Sequence, residues 1–145
     1  MARTVIVDTG FWFGLLNKND PYHDQARRLD EFLVSHEPEY EVAVPWPCLY
    51  ETLNTRFVKN KGWLEAFEKK ITGPNFVRIV DDKYREQAWN NLLLQVFKPR
   101  ELSLTDLVIR EILQDASVRV YALITFNERD FADLGASRGF EIWSS

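Results

Sequence analysis

In 145 residues the chain has one cysteine, Cys48, and two histidines, His23 and His36. A lone thiol excludes an internal disulfide and points to a reducing, cytoplasmic compartment. Without a helix-start histidine to activate it, Cys48 reads as a small buried apolar residue rather than a nucleophile. The histidines have no cysteine or histidine partners at zinc spacing, which argues against a zinc site. His23 reads as packed or hydrogen-bonded. No apolar run approaches a membrane span. Met1-Ala2-Arg3-Thr4 leads straight into a strand, without the basic start and apolar middle of a signal peptide. No Walker loop and no G-x-S-x-G elbow is present, so a nucleoside triphosphatase of that type and a serine hydrolase both lose support. Basic charge is in deficit: 18 Lys and Arg against 22 Asp and Glu give a net charge of -4. A broad nucleic-acid face held by charge alone is therefore disfavoured. A nuclease is not, because acids held around bound cations overstate the negative field that a substrate meets. The local bases Arg56, Lys59 and Lys61, then Lys69 and Lys70, then Lys98 and Arg100, read first as solvated helix faces.

The composition is that of an ordinary globular protein, 46% hydrophobic and 28% charged, with a high aromatic share of 14%. The length suits one domain, residues 1–145, with a core large enough to stand without disulfides. Short β-rich runs alternate with longer helical stretches, the signature of βαβ units and a parallel sheet. The expected strands are Val5 to Asp8, Val42 to Pro45, Phe76 to Val80, Val120 to Thr125 and Phe140 to Trp143. The expected helices begin near Gly10, at Asp20-Pro21 with Asp20 as cap, and at Pro47, where Leu49, Tyr50, Leu53 and Phe57 form one buried stripe. Gly62 separates that helix from another over Leu64 to Ile71. A helix from about Asp82 to Val96 is broken by Pro99. Ser103 opens the last, with Leu104, Leu107, Val108, Ile112 and Leu113 facing inward.

Against this frame, Asp8, Glu51, Asp106 and Asn127 fall where strands end or helices begin. In an open α/β sheet, those positions border the crevice in which ligands bind. Each also has a plainer explanation. Asp8 is a possible N-cap. Glu51, one turn inside its helix, gains from the helix dipole. Asp106 completes a capping-box pattern, Ser103-x-x-Asp106, and is spaced for an ion pair with Arg110. Joint placement favours the functional reading, because converging like charges repel unless cations neutralise them. Hard oxygen ligands suit Mg²⁺ or Mn²⁺. The chemistry implied is metal-assisted phosphodiester hydrolysis. Trp12 and Trp46 flank the acids and read as core residues before base-stacking ones.

The ordered set resembles a PIN domain of the VapC toxin type over nearly the whole chain. The residues that carry the resemblance are Val-Ile-Val-Asp8-Thr9-Gly-Phe-Trp, Asp20-Pro-Tyr-His23-Asp-Gln-Ala26 and Val-Pro-Trp-Pro-Cys-Leu-Tyr-Glu51-Thr-Leu-Asn. Leu102-Ser-Leu-Thr-Asp106 and Leu123-Ile-Thr125-Phe-Asn127-Glu-Arg-Asp130-Phe131 complete it. The resemblance implies a three-layer α/β/α sandwich around a mostly parallel sheet of about five strands, and an Mg²⁺- or Mn²⁺-dependent ribonuclease. Asp8, Glu51 and Asp106 would be the metal ligands, and Asn127 stands where the family often has aspartate. Asp130 would contribute through water, and Thr125 would orient a ligand or the scissile phosphate. A small antitoxin partner and a homodimer are implied as well. Asn127, which supplies a carbonyl but no charge, motivates an alternative: a catalytically weakened PIN domain that binds RNA or protein. A phosphatase of the haloacid dehalogenase type ranks below both, since Asp8-Thr9-Gly10 lacks the second aspartate that chemistry needs.

Overall fold

A computed structural model describes residues 2–97 and 102–145. Lys98, Pro99 and Arg100, invoked above, lie outside the described residues. Five strands form one sheet: β1 (Arg3–Val7), β2 (Tyr40–Pro45), β3 (Phe76–Ile79), β4 (Ala122–Ile124) and β5 (Glu141–Trp143). Their order is β3-β2-β1-β4-β5, and all four pairings are parallel. This is the expected α/β/α sandwich, with a wholly parallel sheet. Val5, Ile6 and Val7 have no exposed surface. Such an unbroken apolar run is what a central strand covered on both faces requires.

Helices α1 (Thr9–Leu16), α2 (His23–Ser35), α3 (Trp46–Thr52), α4 (Thr55–Lys59) and α5 (Lys61–Ile71) follow β1 and β2. Helices α6 (Arg85–Leu94), α7 (Leu104–Gln114) and α8 (Ala132–Arg138) flank β4. α1 packs on α2, α3 and α5, and α7 on α6 and α8, which defines the two helical layers. Because parallel crossovers are right-handed, a chain that moves outward from β1 to β2 to β3 and returns to β4 must change faces. The change falls between β1 and β4, so the strand ends there leave an open crevice.

The first layer is held by aromatic rings. Trp12 is fully buried and meets Phe11 and Phe67 edge-on, with centroids 5.1 and 4.9 Å apart. It is thus a core residue, as its plainer reading expected. Cys48 is likewise buried, and burial pushes its thiol well above the ordinary range, which makes it inert. His23 Nδ1 lies 2.7 Å from the Gly14 carbonyl oxygen and donates to it, pinning α2 to α1.

Several local expectations are corrected. Asp20 does not cap α2: its carboxylate accepts from the Tyr22 N–H in a turn, and the helix starts at His23. The helix at Pro47 stops at Thr52, because the Asn54 side chain accepts from the Phe57 N–H and starts α4. The shift in phase keeps Leu49 and Phe57 buried but turns Tyr50 and Leu53 outward, Tyr50 to 75% exposure. Asn60, not Gly62, marks the next start, by accepting from the Trp63 N–H. α6 begins at Arg85, three residues after Asp82. Leu104, in the first turn of α7, is exposed, whereas Leu107, Val108, Ile112 and Leu113 are buried. β4 is shorter than Val120 to Thr125, with Thr125 already leaving the ladder.

The α1–α2 crossing is tight. A Cβ on Gly14 would lie 3.1 Å from the Ala26 Cβ and 3.3 Å from the Tyr22 carbonyl oxygen. Gly62 in α5 has only the Asn60 amide oxygen nearby, at 3.5 Å. Gly14→Ala is therefore expected to destabilise by about 1–3 kcal/mol through overpacking, despite a better helix propensity. Gly62→Ala is expected to gain up to about 1 kcal/mol. Urea unfolding midpoints of the two variants, moving in opposite directions, check this.

Candidate active site

Asp8 leaves β1 and becomes the N-cap of α1, with its backbone N–H still bonded to the Ile124 carbonyl of β4. Its side chain is 5% exposed. One carboxylate oxygen accepts from the Thr9 N–H at 2.7 Å, and the other from the Thr125 hydroxyl at 3.0 Å. Thr125, fully buried just past β4, accepts in turn from the Asn127 N–H. The hydroxyl therefore couples the two strand ends on either side of the switch point. The cap reading of Asp8 is correct, but it uses only the first N–H of the helix and leaves acceptor capacity directed at the crevice.

Glu51 reaches the same crevice from α3, where its carboxylate accepts from the Thr9 hydroxyl at 2.9 Å. It occupies the last turn of this short helix, not the first. A carboxylate there is opposed by the helix dipole, so the dipole explanation is removed. Asp106 sits in the first turn of α7, its N–H bonded to the Ser103 hydroxyl at 3.0 Å, as the capping pattern expected. The ion pair with Arg110 does not form. Arg110 instead clamps Asp133 of α8 through two bonds of 2.9 and 2.7 Å, and donates to the Asp130 carbonyl. Among the described residues, none of Asp8, Glu51 and Asp106 has a salt-bridge partner.

Electrostatics follow from that placement. Burial, reinforced by the charge of Asp106 and to a lesser degree that of Glu51, pushes the Asp8 carboxyl up to about 6. Burial also raises Asp106, aided by the charges of Asp130 and Glu51 and opposed by hydrogen bonds from Ser103. Four acids thus share one field. They are not drawn into a finished coordination shell: among the described residues, no group of three His, Cys, Asp or Glu side chains stands ready to hold an ion. The donor set is all hard oxygen, which suits Mg²⁺ or Mn²⁺ and not zinc. Asn127 is exposed beside Thr125, and its side chain caps nothing.

The bases divide. Lys70 is bound to Asp30 at 2.8 Å and Lys69 to Glu65, so both serve helix packing or helix surface. Arg56, Lys59 and Lys61 are exposed on α4 and the start of α5. Trp46 is half-buried with the Arg78 guanidinium over its ring, 5.5 Å from the centroid. Sequence reasoning gives no role to Tyr22 and Phe126, whose rings stack and line a cleft together with Asn127. The available signal was an aromatic lodged between Thr125 and Asn127, within a strand-end motif.

An open, wholly parallel α/β/α sandwich with acids from β1, α3 and α7 facing its switch-point crevice defines a PIN-like fold. The solved structures it is similar to carry that fold. VapC20 of Mycobacterium tuberculosis, a toxin that cleaves the sarcin–ricin loop, superposes with a TM-score of 0.66 at 23% identity, over 89% of this chain and 94% of that one. A chain of VapBC2 from Rickettsia felis, solved bound to a DNA fragment from its promoter, superposes with a TM-score of 0.60 at 16% identity, over 97% and 98%. No family model and no curated protein matches the sequence.

The raised Asp8 carboxyl has a measurable consequence. Its folded pKa lies above the ordinary carboxylate value, so the native state holds a proton between about pH 4 and 6 that the unfolded chain has released. Stability therefore falls as pH rises through that window and stays lowered above it. Asp8→Asn removes the charge while keeping an amide oxygen. In metal-free buffer it is expected to stabilise the chain above about pH 6, by on the order of 2–3 kcal/mol at most, with the gain gone near pH 4. Paired thermal melts at the two pH values measure the difference.

Proposed function

We propose that the chain is a metal-dependent endoribonuclease, the toxin of a toxin–antitoxin pair, working as a single PIN-like domain. The observation that carries the reading is the crevice itself: three carboxylates from separate elements, with no cation paired to them among the described residues, two of which, Asp8 and Asp106, are raised by burial and by the charge of neighbouring acids. A divalent cation offsets that repulsion directly. The likeness in fold to a toxin that cleaves RNA supports the same reading.

Asp8, Glu51 and Asp106 would hold Mg²⁺ or Mn²⁺, with Asn127 adding a neutral oxygen. When bound, such an ion lowers the pKa of water and neutralises charge on a phosphodiester. The residues themselves do the orienting. Thr125 fixes one Asp8 oxygen and Thr9 fixes Glu51, so two of the three carboxylates are aimed by hydroxyls. Glu51 is exposed and Asp106 half-buried, so both have room to close on an ion. Catalysis in the cytoplasm, restraint by a small antitoxin and association as a homodimer belong to the same proposal, supported by the fold shared with the VapC and VapBC chains.

A second reading is favoured by Asn127 and by the unfinished shell: a domain that binds RNA or protein with weakened chemistry. The two part on metal. The nuclease reading expects RNA cleavage that EDTA abolishes and Mg²⁺ or Mn²⁺ restores, and that Asp8→Asn or Asp106→Asn lowers at least about a hundredfold. Cleavage that survives both EDTA and Asp8→Asn overturns it. Calorimetric titration showing no Mn²⁺ binding up to millimolar concentration, with RNA affinity kept, favours the binding module.

A further inference from the structure

A second feature of the strand ends is a flat aromatic step that starts one residue past Thr125. Phe126 directly follows Thr125, whose hydroxyl holds Asp8, and its ring lies on α1. Gly10 and Gly14 provide the room: a Cβ on either would come within 3.6 and 3.4 Å of the Phe126 ring. Tyr22 stacks on Phe126 with centroids 4.5 Å apart and ring planes 3° from parallel. The backbone of Tyr22 is fixed by the Asp20 turn, and the residue after it by the His23–Gly14 bond. Phe126 is half-buried, yet Tyr22 remains 42% exposed. An exposed tyrosine on a rigid support, with few rotatable bonds left to order, offers contact area at low entropic cost.

The stack borders a cleft of about 630 Å³, lined by Gln25, Asn127, Arg129 and the C-terminal serines as well as the two rings, with the acids Glu128 and Asp130 on either side of the arginine. That volume falls in the ~300–1,000 Å³ range of small-ligand clefts. Its chemistry is specific. Two amides, Gln25 and Asn127, each carry a donor and an acceptor, the complement of a base edge. Arg129 is an exposed cation suited to phosphate. Asn127 belongs at once to this cleft and to the chain of hydrogen bonds ending on Asp8.

We infer that the Tyr22–Phe126 stack is a nucleobase platform, which seats one unpaired base of an RNA next to the acidic crevice, with Gln25 and Asn127 facing its edge. The inference rests on the RNA-directed reading of the site but requires no cleavage. It assigns to Asn127 a role that uses an amide: presenting a donor as well as an acceptor to a base edge, where a carboxylate presents acceptors alone. Unpaired bases are what a protein can splay onto an aromatic ring, so the substrate class is single-stranded or looped RNA.

The test is metal-free binding. In EDTA, the full-length Asp8→Asn chain is titrated against a fluorescein-labelled single-stranded RNA of about nine nucleotides, read by anisotropy. Tyr22→Leu, which still covers Phe126, is expected to lose about ten- to a hundredfold in affinity, and Tyr22→Trp to retain it. A set of oligonucleotides with one abasic site each is expected to show a single position whose loss matches that of Tyr22→Leu. The two losses do not add in a double-mutant cycle. Unchanged affinity of a folded Tyr22→Leu, no measurable binding by its parent, or a flat abasic profile overturns the platform. The abasic profile decides even where the leucine variant unfolds. Metal-dependent cleavage together with a flat profile sinks only this inference. A Tyr22-dependent profile in a chain that never cleaves sinks only the nuclease reading.

Discussion

Asp8 is a carboxylate placed almost wholly out of water, at the point where β1 and β4 part, and the surrounding structure is arranged to make that placement tolerable. Burying an isolated ionised carboxylate costs several kcal/mol in a real protein interior. Here the cost is offset by two donors, the Thr9 N–H and the Thr125 hydroxyl. The offset is incomplete, because Asp106 and Glu51 add repulsion and the carboxyl remains elevated. A core built only for stability would place an apolar residue here. The parallel pairing of β1 with β4 makes the arrangement possible, since it brings Thr125 alongside Asp8 in register with the Val7 and Ile124 pair.

The same constraint explains why the cations near the crevice are used elsewhere. Arg110 is spaced to neutralise Asp106, yet both of its terminal nitrogens are bound to Asp133, with Asp130's carbonyl as a third anchor. Such a bidentate clamp is geometrically demanding and holds α7 against α8. Holding the arginine outward keeps α7 in position and leaves the Asp106 carboxylate without that counter-ion. The helix ends behave similarly. Ser103 and Asn54 satisfy the N-terminal donors of α7 and α4. Asp106 and Ser103 cap α7 reciprocally, and Glu51 sits at a C-terminal turn where the dipole opposes it.

Much of this could be read from the residues alone, and the failures have definite causes. The five strands and their parallel pairing follow from short β-rich runs alternating with helical stretches, with Val5-Ile6-Val7 the clearest run. The placement of Asp8 and Asp106 follows from their strand-end and helix-start positions, whereas Glu51 reaches Thr9 from the last turn of α3. Helix phase did not. The periodic stripe Leu49, Tyr50, Leu53, Phe57 is compatible with one long helix, and only the Asn54 side chain, capping a new helix at that point, resets the phase. Asp20-Pro21 carries the signal of a cap, but the aspartate is used in a turn three residues before the helix starts. The Asp106–Arg110 spacing is correct for an ion pair, and a residue more than twenty positions later takes the arginine instead. Local pattern identifies what a side chain is able to do; long-range competition decides which option is taken.

Asn127 shows how one neutral residue bears on both the electrostatics and the proposed recognition at this site. A carboxylate there would add a further negative charge beside Asp8, whose pKa is already raised, and would deepen the repulsion that only a cation relieves. The amide avoids that penalty, and in the proposed metal site it would keep an oxygen for coordination at the expense of affinity for an additional ion. It also brings a donor to the cleft beside Phe126, which a carboxylate lacks. The backbone of Asn127 is tied to Asp8 through the Thr125 hydroxyl, and the same residue lines the cleft. Ligand seated against that side chain therefore bears on the same short chain of hydrogen bonds that orients the central carboxylate.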